Sequence, residues 1–88
     1  MKNFSETLRE YIDTYSEGKV YIFAKDIGFS ATSVYKWVSG ESIPNIQKMI
    51  ILAEYIQEIS GIPYSYIIMQ FVLGLEDSIA IMKRSIKV

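Results

Sequence analysis

Apolar residues recur along this chain at helical spacing, and short segments containing glycine, proline or serine separate the recurring groups. In the first segment Asn3 and Glu6 have the spacing of a capping box, which marks the start of a helix. We expect this first helix to end near residues 16–18. Its apolar stripe repeats every three or four residues, as one face of a helix does, and consists of Phe4, Leu8, Tyr11, Ile12 and Tyr15.

Two shorter helices are predicted next, each closed by a glycine. The second covers Val20–Ile27 and ends at Gly28, because glycine readily takes the left-handed conformation that terminates helices. The third covers residues 31–38, with Ser30 as its N-cap and Gly40 after its end. A serine hydroxyl at the N-cap accepts hydrogen bonds from backbone N–H groups of the first turn.

The second half of the chain predicts two or three further helices. A fourth helix follows the break at Pro44 and ends before Gly61. Pro63 suits the first turn of a fifth helix, which we expect to end around Gly74. The apolar spacing of the final segment, residues 75–88, fits a helix or a strand, and we favour a helix. The chain is therefore predicted to be all-α, a compact bundle of five or six helices.

The composition is that of one small domain without cofactor chemistry. The 88 residues are 50% apolar and 22% charged, which supports a single hydrophobic core. The absence of cysteine and histidine removes disulfides, thiolate and imidazole chemistry and nearly all transition-metal sites. We expect no metal, no cofactor, no small-molecule ligand and no enzymatic activity. The apolar segment 64–75 is too short to cross a bilayer and the N-terminus lacks a secretory signal, so we expect a cytoplasmic protein.

The charges are segregated along the chain, although the net charge is only −1. Residues 1–18 hold two basic and four acidic side chains, whereas residues 19–48 hold four lysines and two carboxylates. An acidic chain binds nucleic acid only through a local basic patch. The middle of this chain is the place where such a patch would form.

The predicted second and third helices have the residue pattern of a helix-turn-helix. Such a unit needs a small residue where its helices cross, a glycine at positive φ in the turn, and apolar residues that fix the pair to the rest of the domain. Ala24 provides the first and Gly28, four residues later, provides the second. The apolar anchors are Phe23, Ile27, Phe29, Val34 and Trp37.

Together with the turn at residues 40–44 and the amphipathic helix after it, this pattern resembles the Cro/CI-type (lambda-repressor-like, Xre-type) helix-turn-helix family. The resemblance extends over residues 19–60, is loose in the first helix and hardly reaches the last quarter of the chain. It implies a DNA-binding body, residues 1–62. The remaining residues, 63–88, are predicted to be an apolar C-terminal extension for packing or dimerisation. The positions that carry it are Ala24, Gly28, Ser30, Val34, Trp37, Gly40 and Pro44.

Three positions depart from the family pattern. Val20 stands where a glutamine is usual at the start of the second helix, and Val38 stands where a glutamate is frequent late in the third. A phosphate-contacting side chain and an ion pair are therefore missing. Glu41 stands where a basic residue often follows the glycine, and its charge disfavours a nearby phosphate unless the side chain points away.

The resemblance implies that the third helix enters the major groove of double-stranded DNA and reads base edges. Its outward side chains there are Ala31, Thr32, Tyr35 and Lys36. Of these we expect most from Lys36, because lysine donates to guanine O6 and N7. Backbone N–H groups at the start of the second and fourth helices are expected to bind phosphate. The side chains expected to do so are Lys19, Lys25, Ser30, Ser33, Ser39 and Lys48.

The apolar C-terminal extension predicts self-association. So few cations favour two protomers on adjacent half-sites of the DNA, and residues 64–88 carry more apolar surface than a core of this size requires. We therefore expect a homodimer formed through this segment. Its predicted contact residues are Tyr66, Ile67, Phe71, Ile79, Met82 and Ile86.

Three functional hypotheses follow from the sequence. The first is a small homodimeric transcriptional regulator, most simply a repressor that reads an inverted repeat, similar to compact regulators of phages and mobile elements. The second is a protein-interaction or assembly module, in which the acidic surface and the apolar extension bind a partner protein. The third is an architectural DNA-binding accessory protein of a mobile element. The extension closes a dimer, completes the protomer's own core or binds another protein, and the sequence leaves these three open.

Overall fold

Five consecutive helices make up the fold. The computed structural model describes the backbone of residues 2–86 and the side chains of residues 2–75, and the regular structure described there is entirely helical. The helices are α1 (Phe4–Tyr15), α2 (Val20–Ile27), α3 (Ala31–Ser39), α4 (Ile46–Ser60) and α5 (Tyr64–Ile86). The predicted all-α bundle is confirmed, as are the predicted bounds of α2. None of the helices, in the residues described, combines the length and hydropathy needed to span a membrane.

Side-chain caps fix the starts of three helices. Asn3 accepts a hydrogen bond from the backbone N–H of Glu6 (2.9 Å), and the Glu6 carboxylate accepts one from the N–H of Asn3 (3.1 Å), which completes the predicted capping box. Ser30 caps α3 and Asn45 caps α4 through a bond from the third residue of each helix. These bonds satisfy N–H groups that have no partner within the helix.

One hydrophobic core joins the helices. Helix α5 packs against α1 and α4, and α3 packs against α1 and α2. The Phe71 ring of α5 meets the rings of Phe4 and Tyr11 in α1 edge-on, with centroids 5.0 and 6.4 Å away. Such edge contacts stabilise aromatic pairs beyond the area they bury. The largest fully buried side chains are Phe4, Phe23, Phe71, Leu8, Ile12, Leu52, Ile56, Ile67 and Val34.

Helix α5 continues through Gly74, so the predicted end at this glycine is wrong. A Cβ atom at position 74 would lie 2.7 Å from the backbone nitrogen of Phe4 and 2.9 Å from the carbonyl carbon of Asn3. Gly74 therefore allows α5 to approach the start of α1 more closely than any other residue would. The final segment is helical as far as Ile86, in agreement with the preference for a helix over a strand.

The packing of α5 also corrects the predicted dimer contacts. Ile67 and Phe71 are fully buried within the chain's own core, because they cover apolar faces of α1 and α4 that would otherwise be open to water. Neither side chain is available to a second protomer. The side chains of Ile79, Met82 and Ile86 lie outside the described residues. Part of the C-terminal extension thus completes the core of the protomer.

Candidate nucleic-acid interface

A tight turn joins α2 to α3. Gly28 ends α2 with φ +89°, a conformation that residues with a Cβ rarely adopt. The backbone N–H groups of Gly28 and Phe29 both donate to the carbonyl oxygen of Ala24, each at 2.9 Å. The N–H of Gly28 also donates to the carbonyl oxygen of Lys25 at 3.3 Å, which together with the bond from Phe29 gives the Schellman motif that closes α2. The turn thereby fixes the direction in which α3 leaves α2, as the predicted helix-turn-helix requires.

The inner face of α3 is anchored in the core. Val34, Trp37 and Val38 are buried, and the Trp37 ring packs edge-on against Phe29 with centroids 5.4 Å apart. Ala24 of α2 is buried as well, as expected for a small residue beneath this pair of helices. Val38 occupies the position at which the family that the chain resembles frequently carries glutamate, and its burial explains why an apolar residue fits there.

The outer face of α3 carries the residues predicted to contact bases. Thr32, Tyr35 and Lys36 are exposed, Tyr35 by 51%, and Ala31 is half-buried. Residues 31 and 35, and residues 32 and 36, are four positions apart, so these side chains occupy two adjacent turns of one helix face. Among residues 2–75, no carboxylate oxygen lies within 4.0 Å of the Lys36 ammonium group. The ammonium group is therefore free to donate to an acceptor outside this part of the chain.

The three serines predicted to contact phosphate form hydrogen bonds within α3. The hydroxyl of Ser30 donates to that of Ser33 at 2.9 Å, and the hydroxyl of Ser39 donates to the carbonyl oxygen of Lys36 at 3.0 Å. A hydroxyl has one proton to donate. Ser30 and Ser39 must break these bonds before they can donate to phosphate, whereas Ser33 keeps its proton.

The three lysines predicted to contact phosphate are exposed on either side of α3. Lys19 immediately precedes α2 and lies 3.6 Å from the Glu17 carboxylate, and Lys25 lies in the last turn of α2. The ammonium nitrogen of Lys48 lies 6.0 Å from the centroid of the Trp37 ring. This contact places the first turn of α4 beside Trp37 of α3.

The helix termini around α3 favour negative charge. The first turns of α2, α3 and α4 contain no acidic residue, whereas the first turn of α1 contains Glu6. The positive ends of these three helix dipoles are therefore not neutralised by a carboxylate of the same turn. Two large exposed side chains lie in the first turns of these helices, namely Tyr21 of α2 (58% exposed) and Ile46 of α4 (61% exposed).

The acidic residue Glu41 follows the end of α3. Glu41 is exposed, and its backbone N–H donates to the carbonyl oxygen of Lys36 at 2.9 Å. Within residues 2–75 its carboxylate has no cationic partner within 4.0 Å. Its charge therefore repels phosphate at this end of the helix, which is the consequence expected of its departure from the family pattern.

Arg9 connects α1 to the end of α3, a contact that the sequence patterns missed. Its guanidinium group donates to the carbonyl oxygen of Val38 at 2.9 Å. A cation is favourable at a helix C-terminus because the helix dipole is negative there. The only signal in the sequence is a basic residue within an acidic helix, and nothing local indicates a partner 29 positions away.

A separate groove of about 250 Å³ lies between α1 and α5, away from the outer face of α3. The hydroxyl of Tyr11 donates to the side chain of Gln70 at its wall. Burial, followed by the neighbouring Tyr66, Tyr15 and Glu10, raises the pKa of Tyr11 above its usual 10.0. The phenol is therefore neutral at physiological pH, and the groove offers aromatic and hydrogen-bonding surface beside the ion pair of Lys2 and Glu10.

Comparison of the chain with protein-family models, curated protein sequences and solved structures gave no significant match. The resemblance to the Cro/CI-type family thus rests on the residue pattern of the chain itself. Any functional conclusion depends on what the side chains around α3 can do chemically.

Proposed function

We propose that this protein binds double-stranded DNA sequence-specifically, with α3 in the major groove, and has no catalytic role. One observation carries the proposal. Helix α3 is held from beneath by the buried Val34, Trp37 and Val38, and its opposite face exposes Thr32, Tyr35 and Lys36. The major groove admits a helix, and a helix that is anchored on one face and joined to its neighbour by a tight turn can place side chains against base edges.

The surroundings of α3 support the same function. Lys19 and Lys48 lie at the starts of α2 and α4, where the helix dipoles also attract phosphate. Phosphate contacts orient a protein on the duplex, and base contacts select the sequence. The lysines at the starts of α2 and α4 fit the phosphate contacts, and the side chains on the outer face of α3 fit the base contacts.

The proposed biological role is that of a small transcriptional regulator in the cytoplasm, most simply a repressor. Occupation of a promoter by a bound protein is sufficient to block transcription, so repression requires no activity beyond DNA binding. An architectural role in a mobile element would use the same contacts. The position of the natural binding site, at a promoter or at an origin or attachment site, separates these two roles.

The proposed homodimer is formed by the outer face of α5. The exposed fractions on this face are 54% for Tyr66, 59% for Met69, 43% for Val72 and 41% for Leu73. Residues 66, 69 and 73 follow the alternating spacing of three and four typical of a seam between two helices. Of the contacts predicted from the sequence, Tyr66 is kept, and Met69, Val72 and Leu73 take the place of the buried Ile67 and Phe71.

Selection of bound duplexes from a random-sequence DNA pool tests the proposal, because the target sequence emerges from the selection itself. We expect one enriched motif, for which the affinity of the protein is at least about a thousandfold higher than for unrelated duplex. Two inverted copies of that motif at a fixed spacing would support the homodimer. Equal binding to all duplexes at low salt, or none, would contradict sequence-specific binding.

A protein-interaction module is the second candidate, and it is favoured by the surfaces outside α3. The groove between α1 and α5 adjoins the exposed side chain of Tyr66, and the net charge of the whole chain is −1. If selection from the DNA pool yields no motif, this surface becomes the better candidate for the functional site.

A further inference from the structure

Helix α3 carries no carboxylate and no carboxamide side chain. Its outward residues provide instead a methyl group in Ala31, a hydroxyl and a methyl group in Thr32, an aromatic ring with a hydroxyl in Tyr35, and an ammonium group in Lys36. Because the inner residues of the helix are buried and Ser33 and Ser39 are assigned to phosphate, these four side chains define the chemistry that α3 can bring to a base edge.

The four bases differ in the hydrogen-bond donors, acceptors and methyl group that they present in the major groove. A carboxylate is the best acceptor for the hydrogen bond that the N4 amino group of cytosine donates. A carboxamide is the best partner for adenine, because it donates to N7 and accepts from N6. Guanine presents two acceptors that suit an ammonium group, and thymine presents a C5 methyl group that suits an apolar contact. The outer face of α3 therefore matches guanine and thymine and lacks the groups that discriminate cytosine or adenine most strongly.

We infer that α3 selects half-sites in which it faces guanine and thymine, and that it recognises thymine by the C5 methyl group. This inference rests on the proposed DNA binding. Lys36 is assigned to guanine, and the methyl group of Thr32 is assigned to thymine, with Ala31 and the exposed ring of Tyr35 beside it. Thr32 and Lys36 are one turn apart, about 6 Å along the helix axis, which is close to two base-pair steps of about 3.4 Å each.

Thymine can also be preferred indirectly, because A·T-rich DNA has a distinctive shape and stiffness. Replacing a single thymine by uracil separates the two mechanisms, since it removes the methyl group and keeps the base pair. A contact with the methyl group predicts loss of affinity at particular positions of the motif. A shape preference predicts little change at any of them.

The experiment uses the motif selected from the random pool, resynthesised with uracil at each thymine in turn and with 7-deazaguanine at each guanine. We expect affinity for the wild-type protein to fall about fourfold at one or more thymines, which corresponds to the burial of one methyl group. We expect a fall of fivefold or more at one guanine, since 7-deazaguanine lacks an acceptor that Lys36 uses. Uracil in the flanking sequence serves as the control.

Two variants of one residue test the assignment to Thr32. Thr32→Val keeps the methyl group and removes the hydroxyl, whereas Thr32→Ser keeps the hydroxyl and removes the methyl group. We expect Thr32→Val to retain the uracil penalty and Thr32→Ser to lose most of it. Equal penalties in the two variants would overturn the assignment.

The outcomes separate this inference from the proposed function. If replacement of each thymine by uracil lowers the affinity less than twofold at every position, recognition of the methyl group is overturned and DNA binding remains. Failure to select any motif overturns the DNA-binding proposal itself, and recognition of guanine and thymine falls with it.

Discussion

The guanidinium group of Arg9 in α1 donates a hydrogen bond of 2.9 Å to the carbonyl oxygen of Val38, in the last turn of α3. Helix α3 is thus held both by its buried apolar face and by this charged hydrogen bond at its C-terminal end. The bond satisfies a carbonyl that has no partner within the helix. Arg9 therefore helps to set the orientation of α3 without belonging to its outer face.

Replacing Arg9 by alanine should lower the free energy of unfolding by about 1–2 kcal/mol, because a charge-assisted hydrogen bond is lost and a helix C-terminus is left unpaired. Denaturant titration measures the change. Lys2→Ala is the matched control, since the ion pair of Lys2 with Glu10 is exposed and its loss should cost less than about 1 kcal/mol. Equal losses in the two variants would show that the Arg9 bond adds nothing beyond surface charge.

We expect Gly74→Ala to destabilise the fold, which is the opposite of what helix propensity alone predicts. Alanine in place of glycine within a helix normally stabilises by about 1 kcal/mol. Here the added Cβ would meet the backbone of Phe4 at 2.7 Å, so we expect destabilisation by about 1–3 kcal/mol. Thermal or denaturant unfolding measures it, and Ser65→Ala, at an exposed position of the same helix, should change stability by less than about 0.5 kcal/mol. Stabilisation by Gly74→Ala would contradict the close approach of α5 to α1.

Gly74 also marks a limit of prediction from sequence. The glycines at positions 28 and 40 are predicted as helix ends because serine, asparagine or proline residues follow them. Both glycines do end helices, and both take positive φ. The same residue type at position 74 serves close packing between two helices. That role depends on a segment 70 positions earlier in the chain, for which the local pattern of α5 holds no signal.

Burial is predictable for α2 and α3 and less so for α5. The spacing of Val34 and Trp37 after Gly28 indicates the inner face of α3 correctly, since the turn fixes which side of the helix meets the core. Helix α5 has apolar residues on several faces, so its sequence does not distinguish Ile67, which is buried, from Tyr66, which is exposed. Only the positions of α1 and α4 decide which face is covered.

This distinction predicts different results for two alanine substitutions on α5. Ile67→Ala should lower the free energy of unfolding by about 2–5 kcal/mol, since it leaves a cavity in the core. Leu73→Ala should change the stability of the protomer little and should weaken self-association, because Leu73 is 41% exposed on the proposed dimer face. Denaturant unfolding and sedimentation of both variants measure the two effects. A monomeric wild type at micromolar concentration would contradict the proposed dimer.

The raised pKa of Tyr11 predicts loss of stability at alkaline pH. Burial is the main cause of the raised pKa, with Tyr66 as the next contribution. The unfolded chain releases the phenolic proton near pH 10, whereas the folded chain holds it to higher pH. Stability from this group is therefore present below pH 10 and declines as pH rises above it.

Denaturant unfolding between about pH 8 and pH 11 measures this decline. Tyr11→Phe should make the decline shallower, because the titrating group is gone. Tyr21→Phe, which removes a hydroxyl from a side chain that is 58% exposed, serves as the matched control for the loss of a phenol. The same slope in wild type and Tyr11→Phe would rule out Tyr11 as its source.

The most direct test of DNA reading by α3 is a mobility-shift titration of wild type, Lys36→Ala and Lys2→Ala on the selected duplex, with unrelated duplex as competitor. Both variants remove one lysine charge. Lys36 lies on the outer face of α3, whereas Lys2 precedes α1 and pairs with Glu10. We expect Lys36→Ala to raise the Kd by fivefold or more, in line with about 1–3 kcal/mol for a good base contact, and to relax selectivity at one guanine. We expect Lys2→Ala to bind within about twofold of wild type, as a charge change outside the contact surface should. Unchanged affinity and selectivity in Lys36→Ala would contradict the account.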